Sequence, residues 1–161
     1  MKTLFLVRHA KASRDDVSLS DRQRPLNERG LDDAAAMGKR LARHRVRPDL
    51  MLSSPAVRAL KTAQLIAAEI GYPRKHILVD DQLYAARLED LLSVIHGTDT
   101  KIDRLMLFGH NPEFSELASR LAGQPVDLPT CAVAEFTYDG GSWPDVGLAR
   151  PARFTLEQLK K

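Results

Sequence analysis

Residues 3–9, TLFLVRH, and residues 104–110, RLMLFGH, decide how the chain is read. Each holds a short continuous apolar run that ends at a histidine. A run of that length without alternation predicts a strand buried on both faces. Such strands belong to parallel sheets, because helices there cover both sides. If the two strands lie side by side and point the same way, His9 and His110 reach one rim of the sheet together.

Working outward from these two runs, strand-like and helix-like stretches alternate. Residues 27–45 predict a helix, since Leu31, Ala34, Ala35, Gly38, Leu41 and Ala42 recur at helical spacing and Asn27 can cap the start. Residues 49–54, DLMLSS, read as the second strand. A helix follows over residues 53–71, with Ser54 as cap, Pro55 in the first turn and Gly71 at the end. Residues 76–80, HILVD, predict a third short strand, and Leu88, Leu91, Leu92 and Ile95 mark a helix over residues 87–96. After the fourth strand comes a helix with Asn111 as cap and Pro112 in its first turn. From residue 132 the pattern changes. AVAEFTY (132–138) alternates as a strand does, DGGS (139–142) turns, and ARFTLEQL (152–159) predicts a last strand. The expected fold class is therefore α/β: a three-layer sandwich with a mostly parallel central sheet, helices on both faces and an antiparallel C-terminal edge.

Composition narrows the function classes. A chain of 161 residues suits one domain, residues 1–161, that buries its core without staples. Hydrophobic residues at 43% and charged residues at 28% exclude a disordered or fibrous chain. No apolar run approaches the roughly 18 residues that a membrane helix needs, so no membrane partner is expected. The first residues lack the apolar core and cleavage site of a secretory leader, which predicts a cytoplasmic protein. The net charge is +3, with basic residues interspersed among acids, so no nucleic-acid partner is implied. The lone cysteine, Cys131, excludes an internal disulfide and reads as a small core residue.

In open α/β sheets, ligands bind beyond the carboxyl ends of the strands. That rim gathers Arg8, His9 and His110. The loop after the second strand brings Arg58 there, in the first turn of its helix, where the side chain leans back toward the helix start. Arg24, just before another helix, joins at the edge. Two arginines and two imidazoles at one place suit a phosphoryl group. A guanidinium fork matches phosphate oxygens, helix N-termini favour the same anion, and a neutral imidazole can attack phosphorus. The predicted catalytic set is His9, Arg8, Arg58 and His110, and the predicted anion-binding set is Arg8, Arg24, Arg58, His110 and Asn111. Lys11 reads as a solvated rim charge, and Ser53 and Ser54 as a cap and phosphate-adjacent donors. His44, His76 and His96 carry no predicted role. No metal site is expected, because no HExxH-like spacing occurs and the arginines would repel a divalent cation. A P-loop is absent, and Thr137 stands where a cysteine phosphatase would need an arginine six residues after Cys131.

LVRHAKA (6–12), SSPAVRALKTA (53–63) and LFGHNPE (107–113) together resemble the histidine phosphatase superfamily, with its phosphoglycerate-mutase-like fold. RPLNERG (24–30), the tail AVAEFTYDGGSWPDVG (132–147) and the short chain look most like its SixA-type branch, the phosphohistidine phosphatases. The resemblance implies that His9 is the nucleophile, that Arg8 and Arg58 bind phosphate, and that His110 stabilises the transferring group. Arg24 matches an arginine that some members use at the site's edge. It implies no metal and no cofactor. The expected reaction removes a phosphoryl group from phosphohistidine in a protein, through a phosphohistidine intermediate on His9. The alternatives are a small-molecule phosphomonoesterase or mutase with the same nucleophile, and a non-catalytic phosphate-binding module. The expected partner is accordingly a phosphorylated protein or a small phosphate ester.

Two departures stand out. Ala10 replaces the glycine that usually follows the histidine, which is compatible only with a backbone outside the positive-φ region. No carboxylate falls plainly where many members carry a proton donor. Asp80 and Asp81 come early, Tyr84 lies at the expected place, and Glu89 falls in the following helix, so the donor is unassigned. A weak donor suits a labile phosphoramidate better than an alkoxide leaving group. The segments between motifs leave no room for a lid, and an open site admits a phosphorylated side chain on another protein.

Overall fold

The computed structural model describes residues 1–159. The apolar runs become strands β1 (Lys2–Arg8), β2 (Leu50–Ser53), β3 (Leu78–Val79), β4 (Arg104–Gly109), β5 (Val133–Tyr138) and β6 (Arg153–Glu157). They form one sheet in the order β3-β2-β4-β1-β5-β6. β1, β2, β3 and β4 run parallel, whereas β5 pairs antiparallel with β1 and β6 antiparallel with β5. Helices α1 (Glu28–Arg43), α2 (Val57–Ile70), α3 (Leu88–His96) and α4 (Glu113–Ala122) cover it.

The lack of alternation in β1 and β4 has a direct cause. Leu4, Leu6, Leu105 and Leu107 face a core shared with Leu91 and Ile95 of α3 and Phe114 and Leu117 of α4. Phe5, Val7, Met106 and Phe108 face the opposite core, with Ala34, Met37 and Leu41 of α1 and Ala63 and Ile66 of α2. Both faces are buried, so both must be apolar. Each fully buried side chain of this size contributes roughly 1.5–3 kcal/mol. The result is the expected three-layer α/β sandwich with an antiparallel C-terminal edge. Among the described residues, no helix is long and apolar enough to cross a membrane.

Three local expectations need correction. The third strand shrinks to Leu78–Val79, because only Leu52 and Ser53 of β2 offer it partners. Both residues are about half exposed at the sheet edge, and His76 lies in a 3-10 turn before them. α2 begins at Val57 with Ala56 as its N-cap, and the Ser54 hydroxyl accepts the Ala56 N–H instead. α4 begins at Glu113 with Pro112 as N-cap, and the Asn111 side chain accepts the N–H of Ser115 from one position further out. Asn27 does cap α1, accepting the Gly30 N–H at 2.8 Å. Gly71 ends α2 with φ of 78°. The last strand is realised over Arg153–Glu157. At Gly30, a Cβ would collide with the Lys11 carbonyl, so the first turn of α1 closes on the segment after β1 only because no side chain intervenes.

Candidate active site

β1 and β4 pair so that Arg8 stands opposite Gly109. His9 and His110 are each the next residue, and their rings meet with centroids 5.2 Å apart. The backbone of His9 is tied on both sides: its N–H donates to Gly109 O at 3.0 Å, and its carbonyl accepts the Cys131 N–H at 3.1 Å. Cys131, buried as expected, has a φ of 64°, and the same N–H also reaches the Arg8 carbonyl. A Cβ on Gly109 would run into the Phe114 ring, so a glycine there lets α4 seat directly against the end of β4.

The tautomer of His9 follows from its neighbour. His9 Nδ1 lies 2.6 Å from the Ala10 carbonyl, which can only accept. Nδ1 therefore carries the proton, and Nε2 keeps its lone pair while the ring is neutral. Ala10 is fully buried, lies outside the positive-φ region, and donates its N–H to Thr62 Oγ1 at 3.0 Å. Thr62 in turn donates to the Arg58 carbonyl. His110 is set in the opposite sense. Its Nε2 lies 2.8 Å from Ser54 Oγ, whose lone pair already accepts the Ala56 N–H. Ser54 is fully buried and its hydroxyl proton has no other acceptor among the described residues, so it goes to His110 Nε2 and the ring proton sits on Nδ1. That Nδ1 is buried without a partner among the described residues.

The arginines converge on the same place. Arg8 Nη1 donates to Leu128 O at 3.0 Å, and Arg8 Nε is buried with no partner among the described residues. Arg58, only 5% exposed, donates Nη1 to Asp21 O at 2.6 Å and Nη2 to Asp21 Oδ2 at 2.9 Å, while its Nε is likewise unpartnered. Arg24 donates Nε to Asp21 Oδ1 and Nη1 to Ser13 O, both at 3.2 Å. Three buried N–H groups with no acceptor would each cost roughly 1–3 kcal/mol. Arg8 and Arg58 both act on His9 and His110 electrostatically, so these donors lie beside the two imidazoles, and their chemistry suits an oxyanion.

Asp21 is the residue that sequence reasoning missed. It opens a 3-10 turn, Asp21–Gln23, and its carboxylate accepts from Arg58, Arg24 and the Tyr84 hydroxyl, the last at 2.7 Å. The Tyr84 hydrogen bond, with Arg58 and Arg24 beside it, holds its pKa far below the usual carboxylate range. Asp21 is therefore an anchor for Arg58 and not a proton donor. Tyr84 stands where a donor was sought, its ring edge-on to His110 with centroids 5.6 Å apart. Its hydroxyl is given to Asp21, which also raises its pKa. Asp80 caps the turn at Gln82, and Asp81 lies 3.9 Å from Arg22. The Asn111 amide donates to Leu128 O and accepts from Ser115, so it braces the turn after His110. Lys11 is exposed. His44 meets Glu157, His96 meets the Val146 carbonyl and His76 meets Tyr72, each outside this cluster.

A cavity of about 150 Å³ opens over Arg58 and His110, with Asp21, Tyr84 and Glu113 in its walls. A larger one, about 410 Å³, lies beside Thr3 and Arg104 at the opposite ends of β1 and β4, and size alone does not locate the chemistry. Among the described residues, no group of three or more His, Cys, Asp or Glu could hold a metal.

Burial, reinforced by Arg58, Arg8 and Arg24, lowers the His9 pKa to about 4, against the opposing bond to Ala10. Burial, then His9 and Arg58, lowers that of His110 to about 3. Both rings are neutral at neutral pH. Long-range nitrogen NMR is expected to show His9 as the neutral Nδ1–H tautomer down to about pH 5. A titration midpoint near the ordinary 6.5 would contradict the site as described. The unfolded chain takes up protons at these histidines below about pH 6.5 that the folded protein does not. Stability should accordingly fall as pH drops from about 6.5 toward 4.

Comparison with known proteins identifies the family and the fold. The family profile of the histidine phosphatase superfamily, branch 1, matches residues 4–84. An uncharacterised chloroplast protein of Arabidopsis thaliana is 33% identical, over 98% of this chain and 77% of its own length. The chain belongs to the histidine phosphatase superfamily. Its fold is that of the SixA proteins. The crystal structure of a proposed phosphohistidine phosphatase, SixA of Agrobacterium tumefaciens, superposes with a TM-score of 0.81 at 30% identity, covering 96% of this chain and 97% of the other. A protein histidine phosphatase SixA complexed with tungstate superposes with a TM-score of 0.79 at 23% identity, covering 97% and 94%.

Proposed function

We propose that the chain is a phosphohistidine phosphatase, acting as one catalytic unit on a histidine-phosphorylated protein of the cytoplasm. The observation that carries this is the hydrogen bond from His9 Nδ1 to the Ala10 carbonyl, which leaves Nε2 as a free nucleophile beside orphaned donors. In the first step the Nε2 lone pair attacks phosphorus. The P–N bond to the substrate ring breaks, and its electron pair returns to the departing imidazole. Arg8, Arg58 and the His110 Nδ1–H take the charge on the equatorial oxygens. In the second step water attacks the phosphorylated His9, the P–Nε2 bond breaks and inorganic phosphate leaves. The water's proton passes to the phosphate or to solvent.

The choice of substrate rests on the leaving group. Asp21 is held as an anion and the Tyr84 hydroxyl is committed to it, so neither supplies the proton that an alkoxide needs. A phosphoramidate needs none at the bond that breaks. The neighbours support the reading: one is a proposed phosphohistidine phosphatase, and another holds tungstate, an oxyanion close in shape to phosphate. The test is a substrate panel containing a histidine-phosphorylated protein, phosphoserine and sugar phosphates. The expected result is a kcat/KM at least about 100-fold higher on the phosphohistidine protein. Comparable turnover of the sugar phosphates would overturn the assignment in favour of a small-molecule phosphomonoesterase. Failure to turn over every phosphorylated compound would reduce the protein to a phosphate-binding module.

A further inference from the structure

Phosphohistidine makes a demand that a phosphate ester does not, and the following rests on the function proposed above. When the P–N bond breaks, its electron pair stays with the substrate ring. If the ring's second nitrogen carries a proton, the product is neutral imidazole. If it does not, the product is an imidazolide anion, a far poorer leaving group. The site therefore gains from an acceptor that faces the second nitrogen and keeps its proton in place.

Two carboxylates stand in the wall of the cavity, Asp21 and Glu113. Asp21 is spent on Arg58, Arg24 and Tyr84. Glu113 differs. It is the first residue of α4, partly exposed, and its side chain makes no hydrogen bond or ion pair with any described residue. Its place relative to the chemistry is fixed by the chain, since the Phe114 N–H donates to the His110 carbonyl at 2.9 Å and closes the turn between them. An unpaired carboxylate in the wall of a cavity that Arg58 and His110 also line does nothing for phosphate and weakens its binding. It makes sense for a guest that is anionic at one end and cationic at the other. Phosphohistidine protonated on its second nitrogen is such a guest.

We infer that Glu113 is a specificity-determining residue whose carboxylate accepts the second-nitrogen N–H of the substrate ring and so favours the protonated form from which the P–N bond breaks. The atoms balance without further participants. The bond from phosphorus to His9 Nε2 forms, the bond to the substrate nitrogen breaks, and the second nitrogen keeps its proton in the neutral imidazole released. Glu113 ends as it began.

The experiment compares wild type, Glu113→Gln and Glu113→Asp on a phosphohistidine peptide and on p-nitrophenyl phosphate, an aryl ester with no such N–H. The ratio of kcat/KM for the peptide to that for the ester is expected to fall about tenfold or more in Glu113→Gln, and to recover in part in Glu113→Asp. The alkaline limb of peptide turnover is expected to move to lower pH in Glu113→Gln, because the substrate proton is no longer held. An unchanged ratio with superimposable pH profiles overturns the role of Glu113 and leaves the phosphohistidine reading standing. Wild type that turns over the ester but not the peptide overturns both.

Discussion

His9→Ala is expected to lower turnover of every phosphorylated substrate by at least about 10⁴-fold, with the fold intact. The nucleophile is removed, and no neighbouring group can replace it. His110 directs a protonated nitrogen inward, and the hydroxyls of Ser53 and Ser54 are committed to the Ser54 carbonyl and to His110. The fold should survive because His9 gives up one side-chain hydrogen bond, to Ala10, whose loss costs about 1 kcal/mol, while its backbone bonds to Gly109 and Cys131 remain. Rates measured beside a thermal melt separate the two effects, and near-wild-type activity would remove His9 from the mechanism. The same chemistry predicts that wild type quenched during turnover carries a phosphoryl group that is labile in acid and stable in base. Finding that group on serine or cysteine would sink the mechanism.

Arg58→Ala should weaken inhibition by vanadate or tungstate by roughly 2–4 kcal/mol, which is about 30- to 900-fold in the inhibition constant. Two losses combine. The guanidinium no longer meets the oxyanion, and Asp21 loses the partner at 2.9 Å that neutralised it. Arg58→Lys should rescue little. An ammonium cannot engage the Asp21 carboxylate and carbonyl with one edge and still present a second edge to the anion. An inhibition constant unchanged in Arg58→Ala would mean that the anion binds elsewhere.

How much of this was legible in the sequence depends on how local the signal is. β1 and β4 were readable because burial on both faces forces an unbroken apolar run, and their matched endings pointed to His9 and His110 as neighbours. The caps at Ser54 and Asn111 were misplaced because a serine or asparagine near a helix start bonds equally well from outside the capping position. β3 was overread because an apolar run says nothing about whether partner residues exist beside it. Asp21 was invisible for a further reason. Its partners Arg58 and Tyr84 lie 37 and 63 positions away, and neither periodicity nor spacing reports contacts at that range. The pairing of Ser54 with His110, 56 positions apart, was hidden in the same way, although Ser54 itself was expected near the anion.

Arg8, His9, Arg58 and His110 hang on the ends of β1 and β4 and on α2, where the core holds them. Asp21 and Tyr84 stand instead at short 3-10 turns, and Glu113 in the first turn of α4. A substitution at Tyr84 or Glu113 therefore reshapes the rim of the cavity while the strands that carry His9 and His110 stay as they are.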